Sequence, residues 1–98
     1  MEKYQLIDNE KASCYEYHID EYRPHIDYRK KDGVIALTHT YIPPEIQDNG
    51  IGSRLVKDVL DDITAKRLKL IPLCSFVASY INKHPEYKQL LLEDIYVG

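Results

Sequence analysis

With 98 residues, 44% hydrophobic and 30% charged, the chain is long enough for one globular domain with a modest core and has none of the bias of a disordered segment. A net charge of −3 without any dense run of Lys or Arg argues against a nucleic-acid surface, and no stretch approaches the ~18 apolar residues of a membrane span. The first ten residues are polar and charged rather than signal-like, so the expected setting is cytoplasm, with Cys14 and Cys74 as reduced thiols.

Taken in chain order, residues 3–8 allow a short first strand, and Asn9-Glu10-Lys11 reads as a turn. From Ser13 to Asp20, Tyr15, Tyr17 and Ile19 alternate with Glu16 and His18, which predicts a strand with one polar face. A break at Asp20 to Pro24 leads into a third strand, where Ile26, Tyr28 and Lys30 alternate with Asp27 and Arg29. Asp32-Gly33 between two β-type runs predicts a two-residue hairpin. Val34 to Ile42 is almost wholly apolar or β-branched, so this fourth strand is expected to be central, with both faces covered. Pro43-Pro44 ends it. Nine tyrosines and no tryptophan suit half-buried positions with a packed ring and a wet hydroxyl.

The period then becomes helical. Leu55, Val56, Val59, Leu60 and Ile63 share one face and Lys57, Asp58, Asp61 and Asp62 the other, predicting a helix over residues 51–66. Leu68 to Leu73 reads as a fifth strand, parallel to the fourth through a right-handed crossover. Phe76, Val77, Tyr80 and Ile81 fall at helical spacing within a second helix from Cys74 to Lys83. Pro85 suits the first turn of a third, short helix that carries Tyr87, Leu90 and Leu91 inward. The expected fold is therefore α+β (mixed α/β): an antiparallel meander of about four strands leading into a β-α-β unit, with terminal helices, in a single domain over residues 1–98.

Gln47-Asp48-Asn49-Gly50-Ile51-Gly52 lies between the fourth strand and the first helix. A glycine-bearing loop that opens a helix is an anion-binding arrangement, because the first-turn N–H groups point outward and the dipole adds positive charge there. Gly50 and Gly52 would leave room for an oxygen and permit positive φ. Neither G-x-x-x-x-G-K-[ST] nor G-x-G-x-x-G is present, so the loop alone reads equally as a tight turn.

Two segments carry a family likeness. THTYIPPEIQDNGIGSRLVKDVL followed by IPLCSFVASYINKHPEYKQLL resembles the small single-domain branch of the GNAT acetyltransferase superfamily, from about Tyr15 to Leu92. The resemblance implies an acetyl-CoA-dependent N-acetyltransferase that moves an acetyl group to an unidentified amine by direct attack in a ternary complex. The family's Gln/Arg-x-x-Gly-x-Gly/Ala loop maps onto Gln47, Gly50 and Gly52. Backbone N–H groups from Gln47 through Asp48, Asn49, Ile51 and Ser53 would hold the pyrophosphate. Asp48 and Asn49 depart from the basic or glycine residues common there; Arg54, with Lys57, is expected to offset Asp48. The pantetheine arm would lie between strands four and five, with His39, Thr40, Tyr41 and Ile42 on one side and the Pro72–Ser75 segment, including Cys74, on the other. The chain lacks the helices that usually cover the acceptor, which implies an open acceptor site.

Such a reaction needs a base for the ammonium proton and an acid for the leaving thiolate. His39 is the candidate base, set against a hydrogen-bonded core histidine. Cys74, opening the second helix, lines the thioester pocket or accepts the acetyl group, set against a small buried hydrophobe. Tyr80 is the candidate acid by resemblance, but it also fits the apolar stripe with Phe76 and Val77. No metal is expected, since Cys14, His39, Cys74 and His84 are single and scattered. The serines show no nucleophile-elbow context. The expected partners are coenzyme A or acetyl-CoA and an amine, small molecule or protein, with no nucleic acid and no membrane. A non-catalytic acyl-CoA-binding or protein-interaction module on the same fold is the alternative, and a tyrosine-rich surface stacking single-stranded nucleic acid the weakest reading.

Overall fold

The computed structural model describes residues 4–92. Strands β1 (Ile7–Asn9), β2 (Cys14–Glu16), β3 (His25–Lys31), β4 (Val34–Tyr41) and β5 (Lys69–Pro72) form one sheet in chain order. The first four are antiparallel, and β5 lies parallel to β4. Helix α1 (Ile51–Ala65) links β4 to β5, and α2 (Ser75–Lys83) follows β5. Two short 3-10 helices, Pro44–Asn49 and Pro85–Leu90, flank these elements. The expected meander and β-α-β unit are both present.

The Asp32-Gly33 hairpin has positive φ at both central residues, 53° and 80°, which matches its turn to the twist of the strands. The expected second strand is cut short. Ile19 and Tyr22 exchange backbone hydrogen bonds of 3.0 and 2.8 Å around Asp20, whose φ is 54°, so this stretch folds into a tight turn. The 3-10 helix at Pro44–Asn49 replaces the expected open loop.

The core lies on one side of the sheet. Tyr15, Tyr17, Ile26, Ile35 and Leu37 meet Leu55, Val56, Val59, Leu60 and Ile63 of α1 and Val77 and Ile81 of α2 in one cluster. The expectation that both faces of β4 are covered fails. Ile35 and Leu37 are fully buried, while Val34 and Ala36 are only partly so and His39 and Tyr41 are exposed. An apolar run tells how a strand is composed, not how many layers are available to cover it, and both helices here pack on the same face.

The tyrosines tie this face together. Tyr15 donates to Asp62 Oδ2 at 2.7 Å, Tyr28 to Asp8 Oδ1 at 2.6 Å and Tyr87 to Asp61 Oδ1 at 2.7 Å, and Tyr17 donates to Asp58. Lys66 bridges Asp8 and Asp62 at 2.9 and 2.8 Å. The polar flank of α1 is thus a row of acceptors for buried rings, not merely a solvated face. Among the described residues, no buried side-chain nitrogen or oxygen is left without a partner.

These bonds link stability to pH. Burial first, and then the hydrogen bond to aspartate, raises the pKa of Tyr15, Tyr17, Tyr28 and Tyr87. The unfolded chain therefore loses its phenolic protons first, near the ordinary value of about 10. Their contribution is complete below that pH and lost as pH rises through the folded values. For Asp8 and Asp61 burial opposes ionisation, but bonds from Tyr28 and Lys66, and from Lys57 and Tyr87, bring both below the ordinary value. That contribution is present above about pH 4 and lost as pH falls through the folded values. Urea midpoints should form a plateau that declines above about pH 10 and below about pH 4. Tyr15→Phe should lower stability at neutral pH by about 1 kcal/mol and make the alkaline decline shallower. An unchanged alkaline limb would show that this hydroxyl does not report on folding.

Candidate functional site

β4 and β5 pair only from Val34–Lys69 to Leu37–Pro72. Proline has no N–H to continue a ladder. The next N–H, of Leu73, turns back to the Ile71 carbonyl at 3.1 Å, and Cys74 N–H takes the Leu37 carbonyl at 2.9 Å before the chain enters α2. β4 runs on through Thr38 to Tyr41 with no strand among the described residues on that side. The two strands therefore part, and a cavity of about 580 Å³ lies beyond that point, between the end of β4, the 3-10 helix and the starts of α1 and α2. Thr40, Tyr41 and Ile42 line one wall. Gln47, Gly50, Gly52 and Ser53 line the base, with Pro44 and Phe76 completing it.

A bulge decides which β4 side chains reach this space. Tyr28 pairs with Leu37 but Asp27 pairs with His39, so Thr38 is the extra residue, its hydroxyl 3.3 Å from the Asp27 carbonyl. The alternation reverses there. Thr40 comes opposite buried Ile26 on the helix side, and His39 joins Asp27 on the uncovered side.

Gly50, with φ 69°, joins the 3-10 helix to α1 in a left-handed conformation that favours glycine, and no side chain caps the helix start. The first turn of α1 therefore presents backbone N–H groups at the cavity base. Gly52 serves differently from expectation. It lies within α1, and a Cβ there would come 2.8 Å from Phe76 Cζ and 3.5 Å from Ile42 Cγ1. Its role is close approach between α1 and α2, not positive φ.

Cys74 Sγ lies 3.1 Å from Thr40 Oγ1 at the start of α2. Burial alone would raise its pKa. The Thr40 hydroxyl, with backbone N–H groups of Val77, Phe76 and Thr40, overcomes that and lowers it below the ordinary thiol value. Cys74 thus adjoins the cavity wall as a thiol whose thiolate is favoured.

Of the residues expected to hold a donor, Thr40, Tyr41, Ile42, Gln47, Gly50, Gly52 and Ser53 line the cavity. Asp48 and Asn49 are exposed on the 3-10 helix, Ile51 is buried in the core, and Ser75 is exposed at the first residue of α2. The Arg54 guanidinium lies over the Tyr4 ring, 4.5 Å from the centroid, and Lys57 pairs with Asp61 at 2.8 Å. Tyr80 opens onto a separate small cavity, stacked on His84 with centroids 4.2 Å apart. His39 is exposed on the bare face of the sheet.

Sequence reasoning missed Pro44 and misplaced Phe76. Helical spacing put Phe76 in the core stripe, but Val77 and Ile81 fill that role and Phe76 is 42% exposed. The signal available was a large ring at the second residue of the helix that follows β5. Among the described residues, no group of His, Cys, Asp or Glu is arranged to hold a metal, and no helix is long and apolar enough to cross a membrane.

The two thiols should differ in reactivity. Cys14 is buried, and burial with neighbouring Glu16 pushes its pKa up to about 11. Iodoacetamide at neutral pH should modify Cys74 well before Cys14, as followed by peptide mass spectrometry, and Thr40→Val should slow the Cys74 reaction. Equal rates at the two positions would remove the assigned role of the Thr40 hydroxyl and the α2 amides.

Comparison with known proteins agrees with this geometry. The family model described as GCN5-related N-acetyl-transferase matches residues 14–90. The NMR solution structure of a "GCN5-like putative N-acetyltransferase" from Staphylococcus aureus superposes with a TM-score of 0.69 at 27% sequence identity, covering 94% of this chain and 91% of that one. The parting strands, the uncapped helix start and the family match over most of the chain lead to one assignment: the protein belongs to the GCN5-related N-acetyltransferase family.

Proposed function

We propose that the protein binds acetyl-CoA in the cleft between β4 and β5 and transfers the acetyl group directly to an amine in a ternary complex. The observation that carries this reading is the parting of two parallel strands beside an uncapped helix N-terminus. The exposed edge of β4 offers backbone donors and acceptors along which an extended pantetheine arm can pair as an added strand. The first turn of α1 offers N–H groups and dipole charge to the pyrophosphate.

The reaction then runs as follows. A neutral amine attacks the thioester carbonyl, and the tetrahedral oxyanion is held by a backbone N–H of β4. His39, on the bare face, accepts the ammonium proton. The leaving thiolate also needs a proton. Tyr80, the expected donor, faces another cavity, so the Cys74 thiol beside Thr40 is the nearer source along the slot. The uncovered outer face leaves the acceptor side open, which accommodates either a small amine or one borne on a protein. Cytoplasm remains the proposed setting.

A second reading, in which Cys74 itself accepts the acetyl group and passes it on, is favoured by the lowered thiol pKa.

Calorimetric titration with acetyl-CoA tests the donor site. Wild type should bind, and Gly52→Glu should abolish binding by placing a side chain and a negative charge against the pyrophosphate position. A folded Gly52→Glu variant that binds normally would remove the loop from the site. Cys74→Ala should retain binding. Turnover lowered but not lost on an amine panel supports direct attack with Cys74 as proton donor, whereas an acetylated Cys74 that accumulates in wild type without acceptor, detected by peptide mass spectrometry, supports the covalent route. Binding without turnover in wild type would instead support the acyl-CoA-binding module.

A further inference from the structure

Cross-strand partners share one face of a sheet. The register of β3, β4 and β5 therefore sets two rows side by side, Arg29–Ala36–Ile71 and Lys31–Val34–Lys69. Both lie on the face opposite the core, because the row between them holds buried Ile35 and Leu70. Arg29, Lys31 and Lys69 are exposed, and Val34, Ala36 and Ile71 are partly so. Lys30, between the first two in sequence, is engaged by the Tyr28 ring and by Glu10 Oε2 at 3.6 Å. Arg29 and Lys31 make no ion pair among the described residues, and Lys69 donates to the Gln89 carbonyl at 3.4 Å. Asp32 lies in the hairpin turn rather than in either row. Farther along the same face the sign of the charge changes. Past the bulge Asp27 pairs with His39, and its side chain is 42% exposed.

We propose that this face docks an acidic stretch of a partner polypeptide and so brings a lysine or N-terminal amine of that polypeptide to the slot. The amine end of the proposal rests on the acetyl-transfer reading; the docking end rests on charge complementarity. At the hairpin end three cations border an apolar strip, which suits an extended chain that carries carboxylates and lays alternate side chains on Val34, Ala36 and Ile71. At the other end the Asp27 carboxylate favours an approaching ammonium beside His39. From Ala36 to Tyr41 the strand advances about 17 Å, at about 3.3 Å per residue, so carboxylates and amine stand about five residues apart on an extended partner. A nucleic acid fits less well. Its affinity grows with the number of phosphates neutralised, whereas this face has three exposed cations in a chain of net charge −3. The apolar strip between those cations offers a phosphate backbone nothing.

The test uses a fluorescent peptide with a single lysine followed, about five residues along, by a run of glutamates, and the same peptide with glutamines in their place. Fluorescence anisotropy reads binding to wild type, to the double variant Arg29→Ser/Lys31→Ser and, as a control on the helix layer, to Lys83→Ser. Wild type should bind the acidic peptide roughly threefold to tenfold more tightly, as a few exposed ion pairs allow, and added salt should shrink the difference. The double variant should erase it, and Lys83→Ser should keep it. In acetylation assays the double variant should raise KM for the acidic peptide at unchanged kcat and leave a small amine unaffected. Equal binding of the two peptides by wild type overturns the docking surface. A preference that survives the double variant overturns its assignment to this face. Tighter binding of a single-stranded oligonucleotide, lost in the same variant, overturns the choice of partner. Turnover whose KM ignores the glutamates overturns the link between face and slot. The expected binding pattern without turnover of either peptide or small amine supports the docking surface and overturns the acetyl-transfer reading instead.

Discussion

The molecule is organised around the point where β4 and β5 stop pairing. Four residue pairs hold them in parallel, and then Pro72 removes a donor, Leu73 bonds back to Ile71, and Cys74 takes the last carbonyl of the ladder before becoming the entry to α2. A continuous ladder would have closed the sheet and left no slot. The interruption leaves backbone groups of β4 unpaired beside a cavity, a cost that a bound extended chain could offset. The same few residues also place Cys74 against Thr40 and aim α2 so that Phe76 meets Gly52. The slot, the thiol and the aromatic wall are consequences of one local loss of pairing.

That arrangement requires α1 to be held in register with the sheet, and the tyrosines supply the register. Packing of Leu55, Val59 and Ile63 fixes the distance between helix and sheet but tolerates sliding. Hydrogen bonds from Tyr15 and Tyr17 to Asp62 and Asp58, one helical turn apart, define how far along its axis α1 lies. Lys66 fastens the far end to Asp8 on β1. The N-terminal turn of α1, where the cleft needs it, is thus set by contacts at the helix middle and C-terminal end.

The uncovered face of the sheet is the other side of the same economy. Both helices are used on one face, so His39 and Tyr41 at the end of β4 are exposed on the other, with no covering layer among the described residues. His25 and Tyr41 stand with ring centroids 5.6 Å apart, and His18 bonds Glu16 at 2.6 Å. This polar, aromatic surface borders the exposed end of β4.

The sequence by itself determined the elements and their order. The Asp32-Gly33 hairpin, the apolar stripe of α1 and the prolines at 43, 44 and 85 are local signals, because turn conformation, helical period and a missing N–H act within a few residues. The cavity base at Gln47, Gly50 and Gly52 was legible for the same reason, as was the family likeness carried by those residues. Tertiary structure alone decided which side chains face the slot. Alternation from Leu37 would send His39 inward and Thr40 outward, but the bulge at Thr38 exists only through pairing with β3, and it exchanges the two. Phe76 and Val77 are neighbours in the apolar run of α2, yet Phe76 meets Gly52 and lines the cleft while Val77 lies in the core with Ile81. The single covered face of β4 follows from both helices packing on one side. Each is set by contacts between segments far apart in the chain, which local patterns of composition do not encode.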